Sequence, residues 1–202
     1  MMKKDLKAFF SAIRAGAISV VKNLVLSDKA YLSVCNSAPP KKDDGQSGLQ
    51  VACKTGHFDI ARMLIEFGAD VNFMETSSVN EWTAPVLHDC IRAVIFNSYT
   101  LQKDVTRFDE GILVLRLMLE KGADPDAADS YGNTPLHRAI MDARQMIDNP
   151  AVDLTGDVLL KQLRAVFLLL TSAGADINLE NPKRPSAASL IQNFRLDQYK
   201  LF

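Results

Sequence analysis

The stretch YGNTPLHRAI, residues 131–140, predicts a turn that leads directly into a helix. The tripeptide YGN is turn-forming, the hydroxyl of Thr134 can cap a helix, and Pro135 has the fixed φ that suits the first helical position. A second short pattern occurs three times, as FGADVN (67–72), KGADPD (121–126) and AGADIN (173–178). A hexapeptide pattern that recurs in this way indicates that the chain is built from repeats.

The spacing of these patterns gives the length of the repeat. Nineteen positions separate Leu49 from Gly68, and fourteen separate Gly122 from Leu136, so the bare unit spans about 33 residues. In the next two units the corresponding leucine and glycine are farther apart, which means insertions of sixteen positions in one unit and nineteen in the other. The connection between Gly68 and Leu87 carries five further positions. Insertions therefore account for the irregular spacing of a regular repeat.

The units resemble those of the ankyrin-repeat family, in which a β-turn and two helices make up about 33 residues. The resemblance is carried by GNTPLHRAI, SGLQVACKTGHFDIARMLIEFGADVN, VLRLMLEKGADPD and VFLLLTSAGADIN. FFSAIRAGAISVVKNLV (9–25) resembles a degenerate first unit, and PSAASLIQNF, from Pro185, resembles the start of a truncated last one. The resemblance covers roughly residues 5–195 and implies an all-α solenoid of stacked helix-turn-helix units joined by β-turns or hairpins. A single domain over residues 1–202 is expected, with approximate units 5–34, 42–72, 81–126, 129–178 and 181–202, of which the first and last are caps.

The second unit illustrates why such a repeat folds. Ser47, with Gln50 three residues later, predicts a capping box at the start of the first helix. Ile60 and Leu64 lie on one apolar face of the second helix, and Gly68 ends that helix because glycine tolerates the left-handed conformation. One helix pair cannot bury both of its faces. Stacked units must therefore share a core, and the units at the two ends should be atypical.

The two long insertions lie between the first and second helices of neighbouring units, in FNSYTLQKDVTRFDEG and QMIDNPAVDLTGDVLLKQL. Apolar residues continue into both at helical spacing, which predicts lengthened helices instead of flexible loops. Thr106 with Asp109 resembles a cap for an early start of the second helix in the third unit. Asn149-Pro150 should stop the first helix of the fourth unit. We expect the two lengthened helix pairs to pack together as a ridge on the side away from the β-turns.

Composition favours a soluble intracellular protein, since 48% of the residues are hydrophobic, 23% are charged and the net charge is −1. Lys3 and Lys4 precede an apolar stretch, but Arg14 interrupts it, so export by a signal peptide is not expected. No apolar run is long enough to span a bilayer, and no membrane partner is expected. The three cysteines form no CxxC pair and should be free thiols. We therefore expect a cytoplasmic monomer, with delivery into a host cell left open.

The cluster His88-Asp89-Cys90 is the strongest candidate for catalysis or metal binding. Imidazole and thiol groups ligate metals, and together they form nucleophilic dyads. However, His88 falls at the repeat position of His137, and residues two apart on a helix do not face each other. The cluster is interpreted as scaffold, and no enzyme activity, cofactor or metal is expected. Nucleic acid is not expected as a partner either, because no recognition motif and no interleaving of aromatic and basic residues occurs.

The expected function is non-catalytic binding of another protein by a concave surface that the turn tips and the exposed positions of the first helices form. The resemblance implies that this surface is lined by Asp43, Asp44, Gln46, Lys54, Arg92, Tyr131, Asn133, Met141 and Asp142. The lengthened connection NFMETSSVNEWTAP (72–85) adds Phe73 and Trp82, although Trp82 could instead fold back over Pro85. Proteins of this type resemble bacterial effectors, toxin-neutralising proteins or adaptors, and the sequence does not distinguish among these roles.

A second hypothesis is a small-molecule-binding protein or an enzyme with a pocket on the extended helices of the third and fourth units. Such a pocket needs convergent polar groups in an apolar cavity. The extended region supplies polar candidates at Asn97, Tyr99, Asp142, Arg144 and Asp148. A deep cleft in which Arg144 pairs with a carboxylate would favour this hypothesis, whereas a flat ridge would exclude it.

Overall fold

The protein consists of α-helices arranged in successive pairs. The computed structural model describes residues 3–37, 41–100, 103–152 and 154–202. The helices within these residues are α1 (Lys3–Arg14), α2 (Ile18–Ser27), α3 (Gly48–Lys54), α4 (Phe58–Glu66), α5 (Val86–Phe96), α6 (Thr106–Glu120), α7 (Pro135–Ile147), α8 (Val158–Ser172) and α9 (Ala187–Asn193). Short 3-10 helices span Lys29–Leu32, Lys41–Asp43 and Asp197–Tyr199. The all-α fold expected from the sequence is confirmed.

The helices stack in two rows. In the inner row, α1, α3, α5, α7 and α9 contact one another in that order, and in the outer row α2, α4, α6 and α8 do the same. Each of the first four inner helices also contacts the outer helix that follows it. The buried side chains of both rows form one hydrophobic core, which runs from Phe9 to Leu201. This arrangement is the one expected for units that cannot bury their apolar faces alone.

Isolated β-bridges close several of the connections that lead into the inner helices. The bridges pair Cys35 with Ser47 before α3, Met74 with Pro85 before α5, and Asn181 with Arg184 before α9. Within the described residues these bridges are isolated and form no extended strand. The connections are therefore turns and minimal hairpins, as the sequence predicted.

The predicted caps of α3 and α7 are present, and that of α3 differs in one bond. The Oγ of Ser47 accepts a hydrogen bond from the N–H of Gln50 at 3.1 Å. The Gln50 amide does not complete the capping box, because it donates instead to the carbonyl of Ala84 and to the carboxylate of Asp89. At the start of α7 the box is complete, since Thr134 and His137 each accept from the other's backbone N–H. Gln50 therefore links two neighbouring units instead of capping its own helix.

The three GAD glycines end the outer helices α4, α6 and α8. Their φ angles lie between +88° at Gly122 and +101° at Gly174, in the left-handed region. A Cβ atom placed on any of the three would meet no atom within 4 Å. The backbone conformation, and not a lack of space, therefore selects glycine at these positions.

Each histidine joins neighbouring units through a backbone carbonyl. The Nε2 atom of His88 lies 3.0 Å from the carbonyl oxygen of Ala127, and that of His137 lies 2.7 Å from the carbonyl oxygen of Pro185. His57, in the turn between α3 and α4, makes a similar contact with the carbonyl of Arg14. The predicted equivalence of His88 and His137 is confirmed, because both occupy the same place in their units and make the same contact.

The insertions lengthen the helices of the third and fourth units, as predicted. Helices α5 to α8 have 11, 15, 13 and 15 residues, whereas α3 and α4 have 7 and 9. The two extended pairs are joined beyond α5, where the N–H of Tyr99 donates to the side-chain oxygen of Gln162 at 2.6 Å. The extended pairs pack on each other, since α5 contacts α7 and α8, and α6 contacts α8. We call the far ends of these helices, with the described residues that follow them, the ridge. Among the described residues, no helix is long and apolar enough to cross a membrane.

The predicted cap at the start of α6 is wrong. Thr106 is the first residue of the helix, and its N–H donates to the carboxylate of Asp104 at 2.9 Å. The N-cap residue is Val105, which has no capping side chain. Asp109 lies in the first turn, where its negative charge interacts favourably with the positive end of the helix dipole. The helix start is therefore stabilised from a residue upstream of the predicted pair.

Candidate functional site

A groove lies beside Trp82, on the face that the turns and inner helices form. It consists of two adjoining cavities of about 410 Å³ each, and Lys54 and Trp82 line both of them. The first cavity, between α3, α5 and the start of α6, is further lined by Asp89, Arg92, Phe96, Asn97 and Arg107. The second, beside the connections that precede α3 and α5, is further lined by Lys42, Gln46, Glu75 and Glu81. We call these two cavities together the Trp82 groove.

Trp82 is held in place by the turn that precedes α7. Its indole Nε1 donates to the carboxylate of Asp129 at 2.9 Å, and the ring is half-buried. Asp129 also accepts from the backbone N–H groups of Tyr131 and Asn133 and from the Asn133 amide. Burial pushes the pKa of Asp129 upward, but the hydrogen bonds from Asn133 and Trp82 outweigh it and hold the pKa below its usual value. Trp82 is therefore held in a fixed position and does not project freely from the surface.

The lengthened connection that carries Trp82 is fastened to the preceding turn. The carboxylate of Asp44 accepts from the hydroxyl of Ser77 at 3.0 Å and from the N–H of Ser78 at 3.1 Å. The N–H of Thr76 donates to the carbonyl of Gly45 at 3.1 Å. At the other end, the N–H of Ser130 donates to the carbonyl of Thr83. Both ends of the connection are thus tied to neighbouring turns, which gives the groove a defined wall.

Three carboxylates beneath the groove are buried and bonded within the chain. Asp43 forms ion pairs with Arg14 at 3.0 Å and with Lys54 at 3.2 Å. Asp89 accepts from Gln50 at 2.7 Å, and Glu75 accepts from Gln46 at 3.4 Å. Burial raises the pKa of both Asp89 and Glu75 above its ordinary value. These acids shape and stabilise the floor of the groove, and they present little surface to a partner.

The cations of the groove, by contrast, are exposed. Arg92 lines the first cavity, and its guanidinium is 5.5 Å from the centre of the Phe96 ring. Among the described residues, it makes no hydrogen bond or ion pair. Arg107 reaches in from α6 and donates to the carbonyl of Gly56 at 2.7 Å and to the side-chain oxygen of Asn97 at 3.2 Å. Both guanidinium charges therefore remain without a bonded carboxylate.

The residues predicted to bind a partner fall into three groups. Lys54, Arg92 and Tyr131 are exposed. Asp44, Phe73, Trp82 and Met141 are half-buried, and Phe73 packs against the core. Asp43, Gln46, Asn133 and Asp142 are buried, with at most 5% of each residue exposed. The structure brings Lys54, Trp82 and Arg92 together in the groove, and Gln46 lines its second cavity.

The exposure expected for the four buried residues is contradicted, because each bonds to a group inside the chain. Asp43 pairs with Arg14 and Lys54, and Gln46 contacts Lys54 and Glu75. Asn133 donates to Asp129, and Asp142 accepts from Arg138 at 2.7 Å. Burial raises the pKa of Asp142, although the charges of Arg138 and Arg92 oppose that shift. The four side chains are therefore bonded within the chain and expose little surface, although Gln46 still lines the second cavity.

Several residues of the groove were missed by sequence reasoning. Arg107 comes from an insertion, and its bond to Gly56 joins positions 51 residues apart, so no local pattern indicates it. Glu75 lies in the lengthened connection, and Phe96 lies at the end of the extended α5. The only available signal was that both segments depart from the regular unit.

The polar residues proposed for a pocket on the extended helices do not converge. Arg144 pairs with Asp148 and with the carbonyl of Phe194, and the Arg144–Asp148 pair is a partly exposed contact one turn apart on α7. Asp142 pairs with Arg138, also one turn apart. The N–H of Tyr99 bonds to Gln162, and Asn97 faces the Trp82 groove. Arg144, Asp142 and Tyr99 are therefore each bonded to a different partner.

The side chains of His88, Asp89 and Cys90 also point to separate partners. His88 contacts the carbonyl of Ala127, and burial lowers the pKa of its imidazole to about 4. Asp89 bonds to Gln50, and the buried Cys90 contacts Cys53. The hydrogen bond with Cys90 is the main cause that raises the pKa of Cys53, and burial is the second. This thiol is therefore held in its unreactive protonated form. In the described part of the chain, no group of three metal-binding side chains is assembled.

Comparison with known proteins agrees with this architecture. Three family models match the chain: ankyrin repeats (3 copies) at residues 6–101, ankyrin repeats (many copies) at 107–144, and ankyrin repeat at 131–182. A relative from Escherichia coli (strain K12), named as the putative ankyrin repeat protein YahD, is 33% identical over 95 residues, or 47% of this chain. This chain spans 40% of the length of that relative. Ankyrin repeats generally mediate protein–protein interaction and are typically non-catalytic. With its stacked helix pairs, its GAD helix ends and these matches, the chain belongs to the ankyrin-repeat family.

Proposed function

We propose that the protein is a non-catalytic interaction module that binds a partner protein through the Trp82 groove and the adjoining turn tip at Tyr131. The observation that supports this most is the contrast between the buried and the exposed polar groups of the groove. The carboxylates beneath it are bonded within the chain, whereas Arg92 and Tyr131 are exposed. An exposed arginine and two aromatic residues are the side-chain types that most often dominate binding energy.

The fixed geometry of the groove also favours binding. Asp129 holds Trp82, and Asp44 holds the connection that carries it. Because these side chains are ordered before a partner arrives, little conformational entropy is lost when the complex forms. The groove therefore suits a rigid recognition surface better than one that folds on binding.

The free thiols support one cellular setting for this proposal. All three cysteines are free, and two of them are buried. Free thiols suit a reducing compartment, so we place the binding in the cytoplasm. An effector, a toxin-neutralising protein and an adaptor would share this surface and would differ in the identity of the partner.

Site-specific photo-crosslinking tests the location of the binding surface. A photoreactive amino acid replaces Tyr131 at the groove, Leu113 on the outer helix α6, or Ala151 on the ridge, and each variant is irradiated in an extract of cells that express the chain. All three positions are exposed. We expect protein adducts from position 131 and none at positions 113 and 151. Adducts that form only at Leu113 or Ala151 would move the site to the outer face or to the ridge, and the proposal would be wrong.

A further inference from the structure

The charges that a partner would meet in the Trp82 groove are predominantly positive. Four cationic side chains line the two cavities, Lys42, Lys54, Arg92 and Arg107, and all four residues are exposed. The lining carboxylates Glu75 and Asp89 are each only 4% exposed, so Glu81 is the exposed acid of the lining. The basic character of the groove does not reflect the whole chain, whose net charge is −1.

In the first cavity, the two arginines provide the part of this charge that is still available. Lys54 is already paired with Asp43 and donates to the carbonyl of Lys42. Arg107 donates only to uncharged oxygens, those of Gly56 and Asn97, so its charge is not neutralised by them. Arg92 lies near Asp89 and Asp142, but those carboxylates accept their hydrogen bonds from Gln50 and Arg138.

An anion that enters the first cavity would therefore meet two guanidinium groups with unused donors. A carboxylate can accept two parallel hydrogen bonds from a guanidinium, which makes it a well-matched partner for such a group.

Apolar surface lies directly beside these cations. The Phe96 ring is 5.5 Å from the Arg92 guanidinium, and Trp82 lines both cavities. The Trp82 ring is fixed by its bond to Asp129, so its position does not depend on a bound partner. A partner that fits the groove would thus place apolar side chains beside its anionic ones.

We propose that the Trp82 groove recognises an acidic segment of a protein, in which carboxylates bind Arg92 and Arg107 and an adjacent apolar side chain packs on Trp82. This inference rests on the proposed function and specifies the chemistry of its partner. A protein segment fits better than a nucleic acid, because the exposed carboxylate of Glu81 interrupts the positive charge that a continuous row of phosphates would need. The alternation of charged and apolar surface matches a sequence in which Asp or Glu flanks a residue such as leucine.

Trp82 provides the measurement, because it is the only tryptophan of the chain. Its fluorescence is followed while the protein is titrated with synthetic peptides of equal length that repeat Gly-Glu-Leu-Glu, Gly-Gln-Leu-Gln or Gly-Lys-Leu-Lys. We expect a saturable change with the glutamate peptide and an affinity about tenfold higher than with the glutamine peptide, since a hydrogen bond to a charged group is worth roughly 1.4 kcal/mol or more. The affinity should fall as salt is added, because the charges lie at the surface.

A matched pair of variants ties the effect to the groove. Arg92→Gln should weaken binding of the glutamate peptide about tenfold. Arg116→Gln, which changes an exposed arginine of the outer helix α6, should leave it unchanged. Both positions are exposed, so both variants should keep the circular dichroism spectrum of the wild type.

Several results would overturn the inference. These are equal binding of the glutamine or lysine peptide, equal effects of the two arginine variants, no saturable change with any peptide, or tighter binding of a uridine oligonucleotide than of the glutamate peptide. Crosslinking from Tyr131 separates this failure from that of the proposed function. If adducts at position 131 persist while the peptide results are negative, the groove binds a partner of different chemistry. If those adducts are absent as well, the proposed function itself is wrong.

Discussion

The indole of Trp82 and the carboxylate of Asp129, which are 47 residues apart in the chain, form a 2.9 Å hydrogen bond between two successive turns. Asp129 uses its remaining acceptor capacity for the turn that leads into α7. One side chain therefore sets both the position of the Trp82 ring and the shape of the turn that presents Tyr131. The geometry of the binding face and the stability of the stack are coupled at this residue.

Replacement of Asp129 by alanine should destabilise the protein by about 2 to 3 kcal/mol. The substitution leaves the N–H donors of Asn133, Tyr131 and Trp82 without their acceptor, and donors that lose a charged acceptor are costly. Urea denaturation followed by circular dichroism measures the change in free energy of unfolding. Glu120→Ala, at the exposed end of α6, serves as the control and should have little effect. Equal stability of the two variants would mean that Asp129 does not organise the turn.

Truncation of the aromatic residues of the binding face should weaken the partner complex. Trp82→Ala and Tyr131→Ala should each cost roughly 2 kcal/mol of binding free energy if these residues are central, as aromatic anchors usually are. Binding is measured with a partner that crosslinks at position 131, on the folded fraction of each variant, because Trp82→Ala also removes the bond to Asp129. Leu113→Ala, on the outer face, is the control. The assignment fails if the double variant keeps its partner while a shortened 145–157 segment loses it.

Thr134 should contribute to stability and not to binding. Its hydroxyl caps α7, so Thr134→Ala should lower the free energy of unfolding by about 1 kcal/mol. Thr134→Ser keeps the hydroxyl and should recover most of that loss. Affinity for the partner should hardly change in either variant, because Thr134 is only 1% exposed. A large loss of affinity at an unchanged melting temperature would place Thr134 in the binding site.

His88 should make the protein less stable in acid. Burial lowers the pKa of its imidazole to about 4 in the folded state, whereas an unfolded histidine titrates near its ordinary value of about 6.5. Between these values the unfolded state binds more protons, so this contribution to stability is complete above about pH 6.5 and is lost as the pH falls to about 4. The total loss is about 3 kcal/mol, at about 1.4 kcal/mol for each unit of pKa.

A comparison with His88→Gln isolates this effect. Asp89, Glu75 and Asp142 have raised pKa values and shift the pH dependence in the opposite direction, but they do so in both proteins. The wild type should therefore lose its stability advantage over His88→Gln as the pH falls from about 6.5 to about 4. A difference that does not vary with pH would show that His88 is not buried in its neutral form.

Hydrogen exchange should be slowest in the middle of the stack. Units in the middle of the stack bury their helices against neighbours on both sides, whereas the end units have one neighbour. Amides near Leu64 and Leu136 are therefore expected to be better protected than those near Phe10 and Phe194. Exchange measured by mass spectrometry checks the order. Stronger protection at either end would indicate that the caps, and not the middle units, dominate stability.

The repeated architecture was predictable because its determinants are local. The GAD glycines mark positions where the backbone needs a positive φ, and the sequence TPLH places a cap, a helix start and an inter-unit histidine within four residues. The lengthened helices followed from apolar spacing that continued past the usual helix end. Each of these signals acts over a few residues, so a single sequence was enough to identify them.

The candidate site was predicted less completely because its contacts are distant in the sequence. Residue type suggested exposure for Asp43 and Asn133, but Arg14 and Asp129 supply partners that make their burial possible. Gln50 looked like half of a capping box, yet a carboxylate 39 residues away attracts its amide. Arg107 could not be assigned to the groove before the path of the insertion was known. Tertiary partners decided each of these outcomes, and they have no local sequence pattern.

The contacts of His88 and His137 with backbone carbonyls lie at the starts of α5 and α7, whereas the two long insertions follow the far ends of the same helices. The histidine contacts between units and the two insertions are thus at opposite ends of α5 and α7. A change in the length of the ridge therefore leaves these histidine contacts in place, because a backbone carbonyl is present whatever side chain the next unit carries. The same separation makes the ridge a place where engineered segments can be grafted while the order of units is preserved.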